Sequence, residues 1–335
     1  MIDLPVVWFA LIAVLLTGYA VLDGFDLGAG ILHFVVSRGA RERGLILGSI
    51  APVWDGNEVW LLTAGGALFA AFPLVYATVF SGFYLALVLV LLALIFRAVS
   101  LEVRETSASP AWRRGWDVVF SVSSFLVALL LGVAIGNVLA GIPLDAGGVY
   151  RGGLLGLLRP FPLLAGLLAV AMFTMQGAAW LALRTDGELR GRSRAAGAAA
   201  ATAFVALWIV VTVASLSVPA LRDLPLGGAA YVAPALVVGA SAAFLATSRR
   251  GADGAAFLAS SLAIAGLLAL GALALFPDVL PATDAARSLT VRNAASSDLT
   301  LTAMLVIALV GMPLVLAYTI FVYVRFRRAR IESYS

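Results

Sequence analysis

The chain has 335 residues, of which 62% are apolar and only 12% are charged, and its formal net charge is +4. Soluble domains are about 45–50% apolar and about 25% charged, so this composition excludes a soluble globular enzyme, a disordered chain and a nucleic-acid-binding module. Long apolar runs instead predict a polytopic membrane protein, in which each helix needs about 20 apolar residues. The chain has no Cys and a single His, and all 22 of its basic residues are Arg.

Nine long apolar segments, bounded by charged residues or by Pro and Gly, predict nine membrane-spanning helices. The runs are continuous rather than alternating, which argues against a β-barrel. We expect an all-α polytopic membrane protein in which a single integral membrane domain fills residues 1–335. The nine segments lie at about 5–34, 47–72, 75–99, 116–141, 161–183, 196–218, 229–247, 255–276 and 300–324.

The Arg residues are distributed unevenly between the two sets of loops. Seventeen lie in the loops that join segments 1–2, 3–4, 5–6 and 7–8 and in the C-terminal tail, and five lie in the other loops. Because cytoplasmic loops carry the excess of basic residues, we predict the N-terminus outside and the C-terminus in the cytoplasm. The first apolar run has no basic region before it and is too long for a cleavable signal peptide. The long outer connection at about 277–299 is expected to form a partly ordered cap.

Ionisable residues within the apolar segments are concentrated in the first two. Asp23 and Asp26 are three residues apart on the first segment, and Asp55 and Glu58 have the same spacing on the second, so each pair shares one helical face. Since the first helix descends and the second returns, we expect the two pairs to meet in the cytoplasmic half of the membrane. A carboxyl cluster of this kind suits a proton relay, or cation coordination in a transporter. The alternative is that each acid pairs with a nearby Arg or a backbone group at a helix kink.

Other polar and aromatic residues have weaker patterns. Trp54 and Trp60 flank the acidic motif, and Trp is typical of packing or of anchoring at the membrane interface. Arg97, near the inner end of the third segment, is expected to snorkel or to pair with an acid. Gln176 suits a hydrogen bond between helices.

The single His limits the redox chemistry that this chain can hold. His33 is expected to be a solvated residue at headgroup level, and Asp117 is expected at the start of the fourth helix, where an acid suits the helix dipole. Haem iron takes His, Cys, Met or Tyr as its protein ligand, and a bis-His site is impossible with one His. Structural zinc and copper sites are excluded on the same count, and the sequence has no phosphate-loop motif. We therefore expect no haem, metal or other cofactor in this chain, and no catalytic residue.

Five strings resemble a known family. They are GYAVLDGFDLGAGIL (18–32), SIAPVWDGNEVWLLTAGGALFAAFP (49–73), VFSGFY (79–84), FPDVLP (276–281) and SLTVRNAASSDLTLTAM (288–304). In order and spacing they resemble subunit II of the cytochrome bd-type quinol oxidases, including the cyanide-insensitive members, from the first helix to the last. The WDGN segment beside the LDGFD segment is the specific part of the match.

This resemblance implies a subunit of a terminal oxidase of aerobic respiration, which oxidises quinol and reduces dioxygen to water. The subunit is not catalytic on its own, because haem b and haem d are expected in the partner subunit I, together with the quinol-oxidising loop. The resemblance also implies a multi-pass protein of the bacterial plasma (inner) membrane, in contact with lipids. Its helices are expected to form two four-helix bundles plus one peripheral helix, with the first bundle and the acidic motifs in 1–142 and the second bundle and the C-terminal helix in 143–335. It leaves room for small single-helix accessory subunits, and no nucleic-acid partner is expected.

The resemblance further implies roles for individual residues. Trp60 matches an aromatic near a route by which oxygen enters from the lipid, and Trp54, Arg97 and Gln176 are expected to be structural or pairing residues. A cytoplasmic proton path toward the haems is implied for Asp55, Asn57, Glu58, Asp23 and Asp26. Two alternatives remain: a secondary transporter that uses the acid cluster for proton or cation coupling, and a structural partner whose acids only pair with Arg.

Overall fold

The computed structural model describes residues 3–222 and 229–326. This part of the chain contains twelve α-helices and one two-stranded sheet. The helices are α1 (Leu4–Val36), α2 (Ala40–Ile50), α3 (Trp54–Ala71), α4 (Pro73–Gly82), α5 (Tyr84–Val103), α6 (Pro110–Ala140), α7 (Pro160–Arg184), α8 (Gly187–Ser215), α9 (Pro219–Arg222), α10 (Ala229–Arg249), α11 (Asp253–Leu275) and α12 (Asp298–Phe326). The strands are β1 (Asp278–Leu280) and β2 (Leu289–Thr290).

The helices confirm the predicted all-α polytopic membrane fold. Within the described residues, eight of them are long and apolar enough to cross a membrane. The number is nine if α3 and α4, which are bent by 120° relative to each other, count as one span. The predicted division into two four-helix bundles and a peripheral helix stays a prediction.

Two of the predicted segments are interrupted in the structure. The second segment contains a break at 51–53, between α2 and α3, where Pro52 has no N–H to donate and its ring disfavours a continuous helix. The third segment contains a break at Phe83, between α4 and α5. Because α3 begins at Trp54, the acidic motif occupies the first two turns of a separate helix and is not part of one continuous helix over 47–72.

The centre of the fold is α7, and α12 lies at its edge. In the most apolar stretch of each helix, 67% of the α7 residues are buried but none of the α12 residues are. α1 packs against α3, α6, α7 and α11. Where α1 crosses α7, a Cβ added to Gly28 would lie 1.9 Å from the carbonyl oxygen of Phe173, so the two backbones are in direct contact. This packing holds the acids of α1 inside the bundle.

The connection between α11 and α12 forms an ordered cap, as predicted. β1 and β2 pair in antiparallel orientation, and Ala282 bridges to Ile142 in the connection after α6. The backbone N–H of Ser296 donates to the carbonyl oxygen of Ala71 at 2.8 Å. The cap is therefore attached to the end of α3, at its bend with α4.

The prediction that His33 is solvated is wrong. His33 is fully buried, and its Nε2 lies 3.0 Å from Oδ1 of Asp117. Asp117 is not at the start of its helix either, since α6 begins at Pro110. It is buried, with Arg43 at 2.8 Å and Arg104 at 2.6 Å. The reason is that α2 folds against the end of α1, so residues expected at headgroup level are covered by protein.

Candidate functional site

Two acids of α1 are buried in the membrane-spanning part of the chain. Asp23 and Asp26 are both 0% exposed. They lie about one turn apart on a helix that packs against α3. Since a carboxylate buried without a partner is costly, the groups around these two acids define the site.

Arg97 of α5 is the partner of Asp23. Its Nη1 donates to Oδ2 of Asp23 at 2.8 Å, and its Nη2 donates to Oδ1 of the same carboxyl. The guanidinium and the carboxyl thus form a two-pronged pair in which both side chains are fully buried. The same Nη1 lies 3.3 Å from Oε1 of Glu58, which is 24% exposed. One cation therefore serves two carboxyls, and of the two predicted roles for Arg97 it is pairing that the structure shows.

Asp26 has a different environment, built on Asn57. Nδ2 of Asn57 donates to Oδ2 of Asp26 at 2.7 Å and to the carbonyl oxygen of Leu22 at 3.3 Å. Oδ1 of Asn57 accepts a hydrogen bond from the hydroxyl of Tyr323 at 2.9 Å. Oδ1 of Asp26 is buried and has no hydrogen-bond partner among the described residues. Asp26 is thus held by a neutral amide.

Asp55 does not join this cluster. It is exposed on α3, next to the exposed Gly56, whereas Asn57 two residues later is buried. The structure therefore brings together three of the four acids that are expected to meet, and it leaves the fourth, Asp55, on the exposed face of α3.

The two Trp residues of the motif have packing positions. Trp60 is only 9% exposed, and a Cβ added to Gly18 would lie 2.2 Å from its Cε3 atom, so the ring fills the space that this glycine leaves between α1 and α3. Trp54 is half-buried and packs on the apolar cluster that contains Trp180 and Phe25.

Gln176 joins α7 to two neighbouring helices. Its Nε2 donates to the carbonyl oxygen of Val21 on α1 at 3.1 Å and to Oγ of Ser261 at 3.0 Å. Its Oε1 accepts from Oγ of Ser260 at 2.5 Å. This is the interhelical hydrogen-bonding role that the sequence predicts.

Sequence reasoning missed Tyr323 as a member of the site. It lies 266 residues beyond Asn57, near the end of an apolar helix, and no motif marks it. Within residues 3–222 and 229–326, no group of three or more His, Cys, Asp or Glu side chains could hold a metal ion. The arrangement therefore offers carboxyl groups and a phenol, which can bind and release protons, and an amide and a guanidinium, which hold them in place by hydrogen bonds.

Comparisons with known proteins place this chain in one family over almost its whole length. The family model for cytochrome bd terminal oxidase subunit II matches residues 4–326. Cytochrome bd-I ubiquinol oxidase subunit 2 of Escherichia coli (strain K12) is 40% identical, over 96% of this chain and 95% of its own. Cytochrome bd ubiquinol oxidase subunit 2 of Bacillus subtilis (strain 168) is 34% identical, over 98% of this chain and 97% of its own.

A solved structure supports the fold. The bd oxidase from Geobacillus thermodenitrificans contains a chain that matches with a TM-score of 0.79 at 16% identity, over 97% of this chain and 99% of that one. At this identity the match concerns the fold alone.

Proposed function

This chain belongs to the cytochrome bd terminal oxidase subunit II family, and on that premise we propose that it delivers protons from the cytoplasm through the cluster around Arg97. As a subunit 2, it is part of a quinol:oxygen oxidoreductase of the bacterial inner membrane, and it has a subunit 1 as its partner. Reduction of dioxygen to water consumes protons, so a haem-free subunit with buried acids has a direct use in this reaction. We further propose that subunit I holds the haems and the quinol site.

The observation that carries this proposal is the imbalance of charge in the cluster. Arg97 serves both Asp23 and Glu58, while Asp26 is fully buried with an amide as its partner. A carboxyl group that is buried without a cation avoids the cost of an unpaired charge only in its neutral form. Asp26 is therefore suited to hold a proton and to exchange it.

The exposed face of α3 is proposed as the surface that meets subunit I. Cβ atoms added at Gly56 or Gly66 would have no atom of residues 3–222 and 229–326 within 4 Å, so no contact in this part of the chain requires these glycines. On the same helix, Leu62 is 73% exposed and Asp55 is exposed. Small residues let two membrane helices approach closely, and an exposed acid within the membrane needs a protein neighbour. Asp55 would then pass protons at the interface of the two subunits.

Oxygen access and orientation complete the proposal. Trp60 lies in the apolar cluster formed by α1, α3 and the cap, which suits the passage of an apolar gas. The Arg distribution supports an N-terminus outside and a cytoplasmic C-terminus, although Arg327, Arg328 and Arg330 of the predicted C-terminal tail lie outside the described residues. Lipids and small accessory subunits would surround the remaining exposed apolar helices.

The test replaces Asp26 and Asp55 separately by Asn in the complete oxidase. We expect Asp26→Asn and Asp55→Asn to slow quinol-driven oxygen consumption per haem, most strongly at alkaline pH, where protons are scarce. Asp186→Asn is the matched control, because this acid is 99% exposed. The haem spectrum of each purified complex shows whether the partner subunit has assembled.

Unchanged turnover of both variants across the pH range would rule out the proton path. A purified chain without haem and without a haem-binding partner would contradict the oxidase assignment itself and would favour the transporter alternative, which the family match does not support.

A further inference from the structure

A cavity of about 610 Å³ lies beside the acid cluster. It occupies the space where the chain breaks between α2 and α3, and the ends of α7, α11 and α12 close its sides. Its lining includes the charged Arg184 together with Val53, Trp180, Gly254, Phe257 and Tyr323. Gly254 is exposed whereas Trp180 is buried, so the cavity reaches from the surface of the chain into its interior. Its volume has room for on the order of ten or more water molecules.

The cavity is at the Arg-rich end of the bundle. It is bounded by the C-terminal end of α7 and the N-terminal end of α11. Arg190 lies near the start of α8, the helix that follows α7, and Arg250 lies in the connection that precedes α11. Both belong to the majority set of basic residues. Under the proposed orientation, this end is cytoplasmic.

Tyr323 links the cavity to the cluster. Its side chain lines the cavity, and its hydroxyl donates to Oδ1 of Asn57 at 2.9 Å. Asn57 in turn donates to Asp26 at 2.7 Å. A line of hydrogen bonds through one phenol and one amide thus connects the cavity to a fully buried carboxyl.

Asp26 has an unused atom on which a proton could arrive. Its Oδ1 is buried without a hydrogen-bond partner among the described residues. The charged groups around it are Asp23, Glu58 and Arg97, and the guanidinium is engaged by the other two. A buried acceptor without a donor is costly, so this oxygen is a site for a proton or for the water that carries one.

Resting on the proposed function, we propose that this cavity is the entrance through which cytoplasmic protons reach Asp26, and that Tyr323 is the positioning residue at its inner wall. In the step, a hydronium ion in the cavity passes a proton through a bridging water beside Tyr323 to the Asp26 carboxylate, which leaves water in the cavity and a neutral carboxyl group. The phenol and Asn57 hold the last water and the carboxyl in line. This entrance is separate from Asp55, which lies on the exposed face of α3.

The first variant removes only the hydroxyl. Tyr323→Phe keeps the ring that contacts Phe25 and Trp180 edge-on and deletes the hydrogen bond to Asn57. Tyr318→Phe is the matched control, because Tyr318 is on the same helix and 65% exposed. In the complete oxidase, we expect Tyr323→Phe to reduce alkaline turnover by about threefold to tenfold, as for one lost hydrogen bond, with little change at mildly acidic pH.

The second variant fills the cavity without touching a hydrogen bond. A Cβ added to Gly254 would have no atom of the described residues within 4 Å, so Gly254→Leu can be accommodated and should reduce proton access in the same pH-dependent way. Gly191→Leu is its control, because that glycine is equally open and does not line the cavity. Proton uptake after an oxygen pulse is followed with a pH-indicator dye at several pH values, because a merely structural effect would slow it equally at every pH.

The outcomes separate the two proposals. Alkaline slowing in Tyr323→Phe and Gly254→Leu, with normal controls and normal haem content, supports the entrance. Normal proton uptake in both, while Asp26→Asn is slow, overturns the entrance and leaves the proposed function standing. Normal uptake in Asp26→Asn as well overturns both. Equal loss at all pH values with lost haem would show that Tyr323 acts on assembly, and it would also overturn the entrance.

Discussion

α1 makes polar contacts on two faces, and the two are built from different chemistry. Toward α3 and α5, Asp23 meets the guanidinium of Arg97 in a fully buried ion pair. Toward α7 and α11, the carbonyl oxygen of Val21 meets the amide of Gln176, which also bonds Ser260. Both contacts join three helices, yet only the first contains charge.

The two contacts of α1 therefore suit different roles: the neutral one joins helices, and the charged one suits function. The amide group of Gln176 has partners for both its oxygen and its nitrogen, so it can be read as a connection between helices. On the other face, one cation serves two carboxyls and Asp26 keeps an oxygen without a partner. A hydrogen-bond network that leaves a buried group without a partner is costly in the membrane. Of the two contacts, the charged one has such a group, and it is the one suited to exchange protons.

The largest expected effect comes from breaking the charged contact. Arg97→Met would leave Asp23 buried without its cation, and removing one partner of a buried pair costs about 3–5 kcal/mol. We expect poor assembly, or a much lower unfolding temperature of the purified complex followed by tryptophan fluorescence. Arg114→Met is the matched control, because Arg114 is exposed on α6.

A combined variant tests whether charge is the cause. Adding Asp23→Asn to Arg97→Met removes the uncompensated carboxylate, and we expect it to restore part of the lost stability. If the double variant is no more stable than Arg97→Met alone, the packing of the long Arg side chain matters more than its charge.

The sequence was sufficient for the fold class and for most of the charged contact. Long apolar runs predict the spans, and the spacing of Asp23 and Asp26 predicts a shared face. The pairing of Arg97 was one of two predicted outcomes, because an intramembrane cation has few ways to avoid its burial cost. Tyr323 could not be found in this way, because its contact with Asn57 depends on how α12 lies against α3, and the sequence has no local signal for that.

Contacts with neighbouring helices explain why His33 and Asp55 do not lie where the sequence predicts. His33 was placed at headgroup level by counting residues along one helix, but burial depends on the neighbouring α2 and α6. Asp55 and Glu58 are three residues apart on α3. Asp55 is exposed, whereas Glu58 is only 24% exposed and lies beside Arg97. Two residues three positions apart point about 60° apart around a helix. This is enough to place one against the rest of the protein and the other on the exposed surface.

A smaller effect is expected from breaking the neutral contact. Gln176→Leu removes the amide, but the hydroxyls of Ser260 and Ser261 keep the carbonyl oxygen of Phe257 as acceptor, each at 2.9 Å. No buried hydroxyl is left without an acceptor, so we expect a loss of about 1 kcal/mol. Thr174→Val, which removes a hydrogen bond within α7, is the control. Turnover and its pH profile should stay normal; an alkaline slowing in Gln176→Leu would place this contact in the proton path as well.

The smallest effect is expected from an ion pair at the Arg-rich end, where water competes. Both oxygens of Glu42 on α2 lie 2.6 Å from Nη2 of Arg192 on α8. Burial raises the pKa of Glu42, but the hydrogen bonds from Arg192 and from the backbone N–H of Arg38 outweigh it and bring the pKa below the ordinary 4.5. Because the folded-state pKa is the lower one, the stabilisation is present above about pH 4.5 and is lost as the pH falls through the folded-state value.

Glu42→Gln therefore should cost less than about 1 kcal/mol at neutral pH, and the difference from the unaltered complex should vanish in acid. Thermal unfolding at a series of pH values measures it, with Glu188→Gln as the control, because Glu188 contacts the same Arg192 but is 91% exposed. A Glu42 effect as large as that of Arg97→Met would mean that the Arg-rich end is as shielded from water as the interior, and the contrast between charged contacts inside and outside the membrane would no longer hold.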